Sequence, residues 1–143
     1  MPKKILCAVD GSHEADRAAA CAADLAKDTG AKLTLLHVNP IPADRIAKTY
    51  FWDEVLLGAV ERQIHQQIGN AAKVVAARGG ADFDTVVVSG NRVSSAINSY
   101  AEEKGYDHIV IATGISNELE RIILGSVATD VISKAHCPVT VVR

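Results

Sequence analysis

The stretch that decides the fold runs from His108 to Val127, HIVIATGISNELERIILGSV. It opens on a continuous apolar run, His108 to Thr113, of the kind that forms a strand buried on both faces of a parallel sheet. It closes on Gly125-Ser126, after which Val127, Ala128, Val131, Ile132 and Ala135 recur at helical spacing. The Gly-Ser pair therefore stands at a helix N-terminus. Such an end offers backbone N–H groups without intrahelical partners and the positive pole of the helix dipole, and a glycine there admits close approach of a ligand to the backbone. That is chemistry for holding a phosphate. The same residues read equally well as an N-cap serine, Ser126, after a turn glycine, Gly125.

Working outward, the pattern of strand followed by helix repeats along the chain. Lys4 to Val9 is a short apolar run stopped by Asp10-Gly11-Ser12; Lys32 to Val38 and Asp84 to Ser89 are further strands, and Val139 to Arg143 ends the chain as a fifth. Between them lie helical patterns. The first carries Ala15, Ala18, Ala19, Ala22, Leu25 and Ala26 on one face, with Glu14 and Asp16 in its first turn and Gly30 past its end. A long one from Asp53 to Arg78 steps through Ile64, Ile68, Ala71 and Val75 and stops at Gly79-Gly80; another bears Val93, Ile97, Tyr100 and Ala101 and closes at Gly105. Strict alternation predicts a doubly wound parallel sheet with helices on both faces and right-handed crossovers. From Asn39 to Trp52 the periodicity is lost, and Tyr50, Phe51 and Trp52 bunch together, as a lid over a ligand, a contact for a partner or a pin for the start of the next helix.

Composition sets the limits. The 143 residues suit one domain, residues 1–143, and the balance of 48% hydrophobic to 22% charged suits a folded soluble chain. A net charge of −2 gives no general attraction to nucleic acid or to an anionic membrane. Cys7, Cys21 and Cys137 are odd in number and widely spaced, against a disulfide framework or a zinc site. The apolar run after Lys3-Lys4 is too short for a signal peptide, and no run is long enough to span a bilayer, so a cytoplasmic location is expected.

Among catalytic motifs, the P-loop, the dinucleotide fingerprint and the nucleophile elbow are absent, and the five histidines show no metal-ligand spacing and read as surface or strand-end residues. A two-component phosphoacceptor would carry adjacent acids after the first strand and an aspartate ending the third, where this chain has Asp10 alone and Ser89-Gly90. What remains is binding. In a doubly wound sheet, ligands sit at the carboxyl ends of strands where the strand order reverses. Asp10 is placed there to accept hydrogen bonds from ribose hydroxyls or help hold a divalent cation, or else to cap the following helix. His37-Val38, ending the second strand, can wall a base.

The chain resembles the universal stress protein family over essentially its whole length. The residues carrying the resemblance are Lys4 to Ser12, Leu35-Leu36-His37-Val38, Leu124-Gly125-Ser126-Val127-Ala128 and His136-Cys137-Pro138 through Val142. The resemblance implies a Rossmann-like sheet ordered 3-2-1-4-5, a homodimer paired through the last strand, Val139 to Arg143, and in one branch a site for ATP, with Mg, or AMP. That branch is marked by Gly, two residues, Gly, nine residues, then Gly-Ser or Gly-Thr. Counted back from Gly125 across Ser116 to Leu124, the two earlier glycine positions fall on Ile115 and Ala112, with Gly114 one place before the middle one. A branched side chain at Ile115 restricts φ where the phosphate loop would wrap, so AMP or weakly held ATP is expected over tightly held ATP. The residues implied as nucleotide contacts are Ala8, Asp10, Val38, Ala112, Gly114, Gly125, Ser126 and Val127, in a regulatory role with at most slow, incidental ATP hydrolysis. The alternative within the family is a nucleotide-free dimeric interaction scaffold.

Overall fold

The structure is a computed structural model and describes residues 1–40, 54–79, 82–114 and 125–143. The aromatic cluster at Tyr50, Phe51 and Trp52 and the motif position Ile115 lie outside the described residues. The elements alternate as β1 (Lys4–Ala8), α1 (His13–Thr29), β2 (Lys32–Pro40), α2 (Glu54–Ala77), β3 (Phe83–Gly90), α3 (Val93–Glu103), β4 (His108–Ala112), α4 (Ser126–Lys134) and β5 (Val139–Val142). The strands form one sheet in the order β3-β2-β1-β4-β5, every neighbouring pair parallel. Alternation of element types and the order 3-2-1-4-5 both appear as expected. The chain builds outward from β1 in one direction, then crosses back to β4, so the order reverses between β1 and β4. That reversal leaves a crevice at their carboxyl ends.

Side chains alternate between the two faces of each strand, and the core divides accordingly. On one face Ile5, Cys7, Leu33, Leu35 and Val110 pack against α1 and α2. The contact stripe of α1 is alanine: Ala15, Ala18, Ala19, Ala22 and Ala26 are almost wholly buried, and their small side chains let the helix lie close to the sheet. On the other face Leu6, Leu36, Val38, Ile109 and Ile111 meet Ile97 and Ala101 of α3 and Val131 of α4. Burying each of the large aliphatic side chains contributes about 1.5–3 kcal/mol. The outer strands are less covered than their apolar sequences suggest. Val87 of β3 is 44% exposed, and all four residues of β5 are half-buried, because an edge strand has a neighbour on one side only.

The opposite end of the sheet is pinned by Asp107. Its carboxylate accepts the backbone N–H groups of Lys3 at 2.8 Å and Lys4 at 3.0 Å, joining the start of β1 to the start of β4. Burial pushes the Asp107 carboxyl up, but these amides outweigh it and hold it below the usual carboxylate range.

Candidate functional site

At the carboxyl ends of β1, β2 and β4 lies a cleft of about 490 Å³. It takes Ala8 and Asp10 from the end of β1, Val38 from β2, Ala112 and Gly114 from the end of β4, and Gly125, Ser126 and Val127 from the start of α4. The structure thus brings all eight residues selected from the sequence to one concavity. It also adds Gln63, Ile64 and Gln67 of α2, which sequence reading passed over.

The turn into α4 is built by backbone packing. Gly114 has φ of +78°, a conformation that side-chain-bearing residues rarely adopt, and the Gly125 N–H donates to Thr113 O at 2.8 Å. A Cβ at Gly125 would stand 2.7 Å from that same carbonyl oxygen, so only glycine fits the close approach. The helix begins one residue earlier than a serine cap would place it. Gly125 is the N-cap, its carbonyl accepting Thr129 N–H at 3.0 Å, and Ser126 is already the first helical residue. No side chain caps this end and no acid lies in its first turn. The amides of Ser126, Val127 and Ala128 are therefore donors without intrahelical partners, on residues that line the cleft.

Facing them, Asp10 does not cap α1. Ser12 does, accepting Ala15 N–H at 3.1 Å, while Asp10 Oδ1 accepts the N–H and the hydroxyl of Ser12. Among the described residues these bonds engage the carboxylate through Oδ1. Gln67 lies over the same turn, its Cγ 2.6 Å from where a Cβ on Gly11 would be, so the turn and α2 close on each other at the rim.

The cleft has two unlike walls. On the side of α3 and α4 it is apolar, with Leu36, Val38, Val93, Ile97 and Ile111. On the side of α1 and α2 it is more polar, with Ser12, His37, Asn39, Gln63 and Gln67. His37 is not a surface residue: it is 6% exposed, and its Nδ1 lies 3.0 Å from Val9 O. Among the described lining residues, Asp10 is the one charged side chain. Beneath the floor, Cys7 is wholly buried, and burial together with neighbouring Cys21 pushes its thiol far above the ordinary range, so it stays protonated and unreactive.

A family model described as the universal stress protein family matches residues 1–143. The chain belongs to the universal stress protein family. A Staphylococcus haemolyticus protein whose name assigns it to the universal stress proteins is 34% identical over 142 residues, 99% of this chain and 84% of its own length. Among solved structures, universal stress protein UspA from Lactobacillus plantarum superposes with a TM-score of 0.77 at 26% identity, covering 99% of this chain and 97% of that one. The universal stress protein from Archaeoglobus fulgidus in complex with dAMP gives a TM-score of 0.69 at 26% identity, covering 100% and 98%.

Proposed function

We propose that this universal stress protein binds an adenine nucleotide in its cleft, in a regulatory rather than a catalytic role, and that a monophosphate is held in preference to a triphosphate. The observation that carries the reading is the N-terminus of α4, which no side chain caps and whose Ser126, Val127 and Ala128 line the same cleft as Asp10. The phosphate meets those amides, the ribose hydroxyls meet Asp10 Oδ2, and the base lies against Val38 and its apolar neighbours. The Archaeoglobus fulgidus relative crystallised with dAMP supports the same ligand class.

The preference for low charge follows from the lining. With Asp10 the one charged side chain among the described lining residues, three amides and a helix dipole worth about half a charge balance one phosphate far better than three. Magnesium is compatible with this donor set only alongside a triphosphate: a single carboxylate, half engaged by Ser12, needs phosphate oxygens to complete a six-oxygen shell. The residues 1–143 act as one domain. They work in the cytoplasm as a homodimer paired along β5, whose half-buried Val139 to Val142 offer an open strand edge. Among the described residues no helix is long and apolar enough to cross a membrane, and no nucleic-acid partner is proposed.

Calorimetric titration with adenosine, AMP and ATP, with and without magnesium, tests the reading. AMP is expected to bind more tightly than adenosine, and ATP to depend on magnesium; Asp10→Ala weakens AMP by about tenfold, the effect of one charge-assisted hydrogen bond. Absence of heat with every nucleotide would leave the family's interaction scaffold as the function. For the dimer, a chain truncated before Val139 that still sediments as a stable dimer would exclude pairing through β5.

A further inference from the structure

The turn after β1 consists of Asp10, Gly11 and Ser12, and α2 lays one side chain across it. Cγ, Cβ and Cδ of Gln67 lie 2.6, 3.0 and 3.2 Å from where a Cβ on Gly11 would stand, so both the stem and the amide carbon rest in the space that glycine leaves. Resting on the nucleotide reading above, we propose that the Gln67 amide is a second sugar-binding group. It donates to the ribose 2′-hydroxyl whose proton Asp10 accepts, so that the cleft selects ribonucleotides over 2′-deoxyribonucleotides.

Packing puts the amide there. Ile68, Ala71 and Val75 turn one stripe of α2 onto Leu33 and Leu35 of β2, which leaves Gln67 on the flank beside the β1 turn, half-buried and lining the cleft. Gly11 has φ of +87°, and a larger residue there would both strain the turn and push the glutamine away. The amide is therefore held next to the carboxylate.

Together Asp10 and Gln67 have the donors and acceptors that read a hydroxyl. An ionised carboxylate only accepts, and Oδ1 already takes two bonds from Ser12. The glutamine amide both donates and accepts, and among the described residues no hydrogen bond engages it. A hydroxyl that gives its proton to a carboxylate keeps lone pairs for an N–H donor, so one hydroxyl satisfies both groups at once. A carbon that bears only hydrogen satisfies neither. Direction along the sheet picks the 2′ position. In the proposed site the phosphate at α4, the ribose at Asp10 and the base at Val38 run across the strand order 4-1-2. The 2′ carbon adjoins the carbon that carries the base, so its hydroxyl lies towards β2, where α2 packs, and the 3′-hydroxyl lies towards the phosphate.

Titration of AMP, 2′-deoxyAMP and 3′-deoxyAMP into the natural protein and into Gln67→Met tests the assignment. Methionine keeps an unbranched stem over Gly11 and suits a helix, but it has no N–H donor. The natural protein is expected to bind AMP about tenfold more tightly than 2′-deoxyAMP. In Gln67→Met that ratio falls to about two- to threefold, while the ratio of AMP to 3′-deoxyAMP is unchanged. A merely structural role for Gln67 would weaken all three nucleotides alike and keep both ratios. Side-chain 15N spectra of the natural protein give a second measurement that needs no variant: the Gln67 NH2 resonances shift with AMP and much less with 2′-deoxyAMP. If AMP binds but its preference over 2′-deoxyAMP is the same in both proteins, or the Gln67 resonances are unmoved, Gln67 does not read the sugar and the nucleotide site stands without it. If none of the three binds the natural protein, the nucleotide reading itself fails and this assignment with it.

Discussion

Two helices begin in the same cleft, α1 after β1 and α4 after β4, and their first turns are opposites. The N-terminus of α1 is satisfied from within: Ser12 caps it, Asp10 holds Ser12, and Glu14 and Asp16 set negative charge against its dipole. The N-terminus of α4 has a glycine cap with no side-chain bond and no acid. Both ends carry a Gly-Ser pair, as the residues before α1 and as the cap and first residue of α4, yet one end has a side-chain cap and the other has none. The difference separates the two jobs of a nucleotide site. In the proposed nucleotide site the closed end supplies the fixed carboxylate for the hydroxyls, and the open end supplies the amides for an anion.

The comparison is broken most severely at Gly125. Gly125→Val forces a branched side chain onto Thr113 O; it is expected to destabilise the fold by about 1–3 kcal/mol in urea titration and to abolish the heat of AMP binding. Making α4 resemble α1 is gentler. Ser126→Asp places an acid in the first turn, which should raise stability by about 0.3–1 kcal/mol through the dipole while weakening AMP by about tenfold through repulsion. An unchanged AMP affinity would show that the phosphate is not at this end. Making α1 resemble α4 is the converse: Ser12→Ala removes the cap and costs about 1 kcal/mol of stability, with a loss of AMP affinity smaller than that of Asp10→Ala because the carboxylate itself remains. The smallest effect belongs to the far end of the sheet. Asp107 titrates below its unfolded value of about 3.9, so its contribution is present above that pH and fades as pH falls through the lower folded value. Melting curves of the natural chain and Asp107→Asn should therefore differ at neutral pH, converge in acid, and be matched by equal AMP affinities.

Much of this was legible in the chain. Apolar strand runs and helical stripes gave the order of elements, because a parallel sheet buries its inner strands on both faces and leaves no polar alternation to confuse them. Strand ends marked Asp10 and the Gly125 turn. The two serines were not separable by sequence: whether Ser12 or Ser126 caps depends on which carbonyl accepts the first helical bond, and at α4 that is Gly125. Gln63 and Gln67 were missed because the spacing of Ile64, Ile68, Ala71 and Val75 shows which face of α2 is buried but not which end overhangs the strands. His37 did leave a signal. It falls in phase with Leu33 and Leu35, and a polar residue in an inward register is one whose hydrogen bonds must be accounted for.

The bond from Gly125 N–H to Thr113 O joins two points between which the chain makes its whole excursion from sheet to last helix. Departure and return share one anchorage, so substitutions or insertions in that interval need not disturb either flank, and doubling its length adds only about 0.6 kcal/mol of closure entropy.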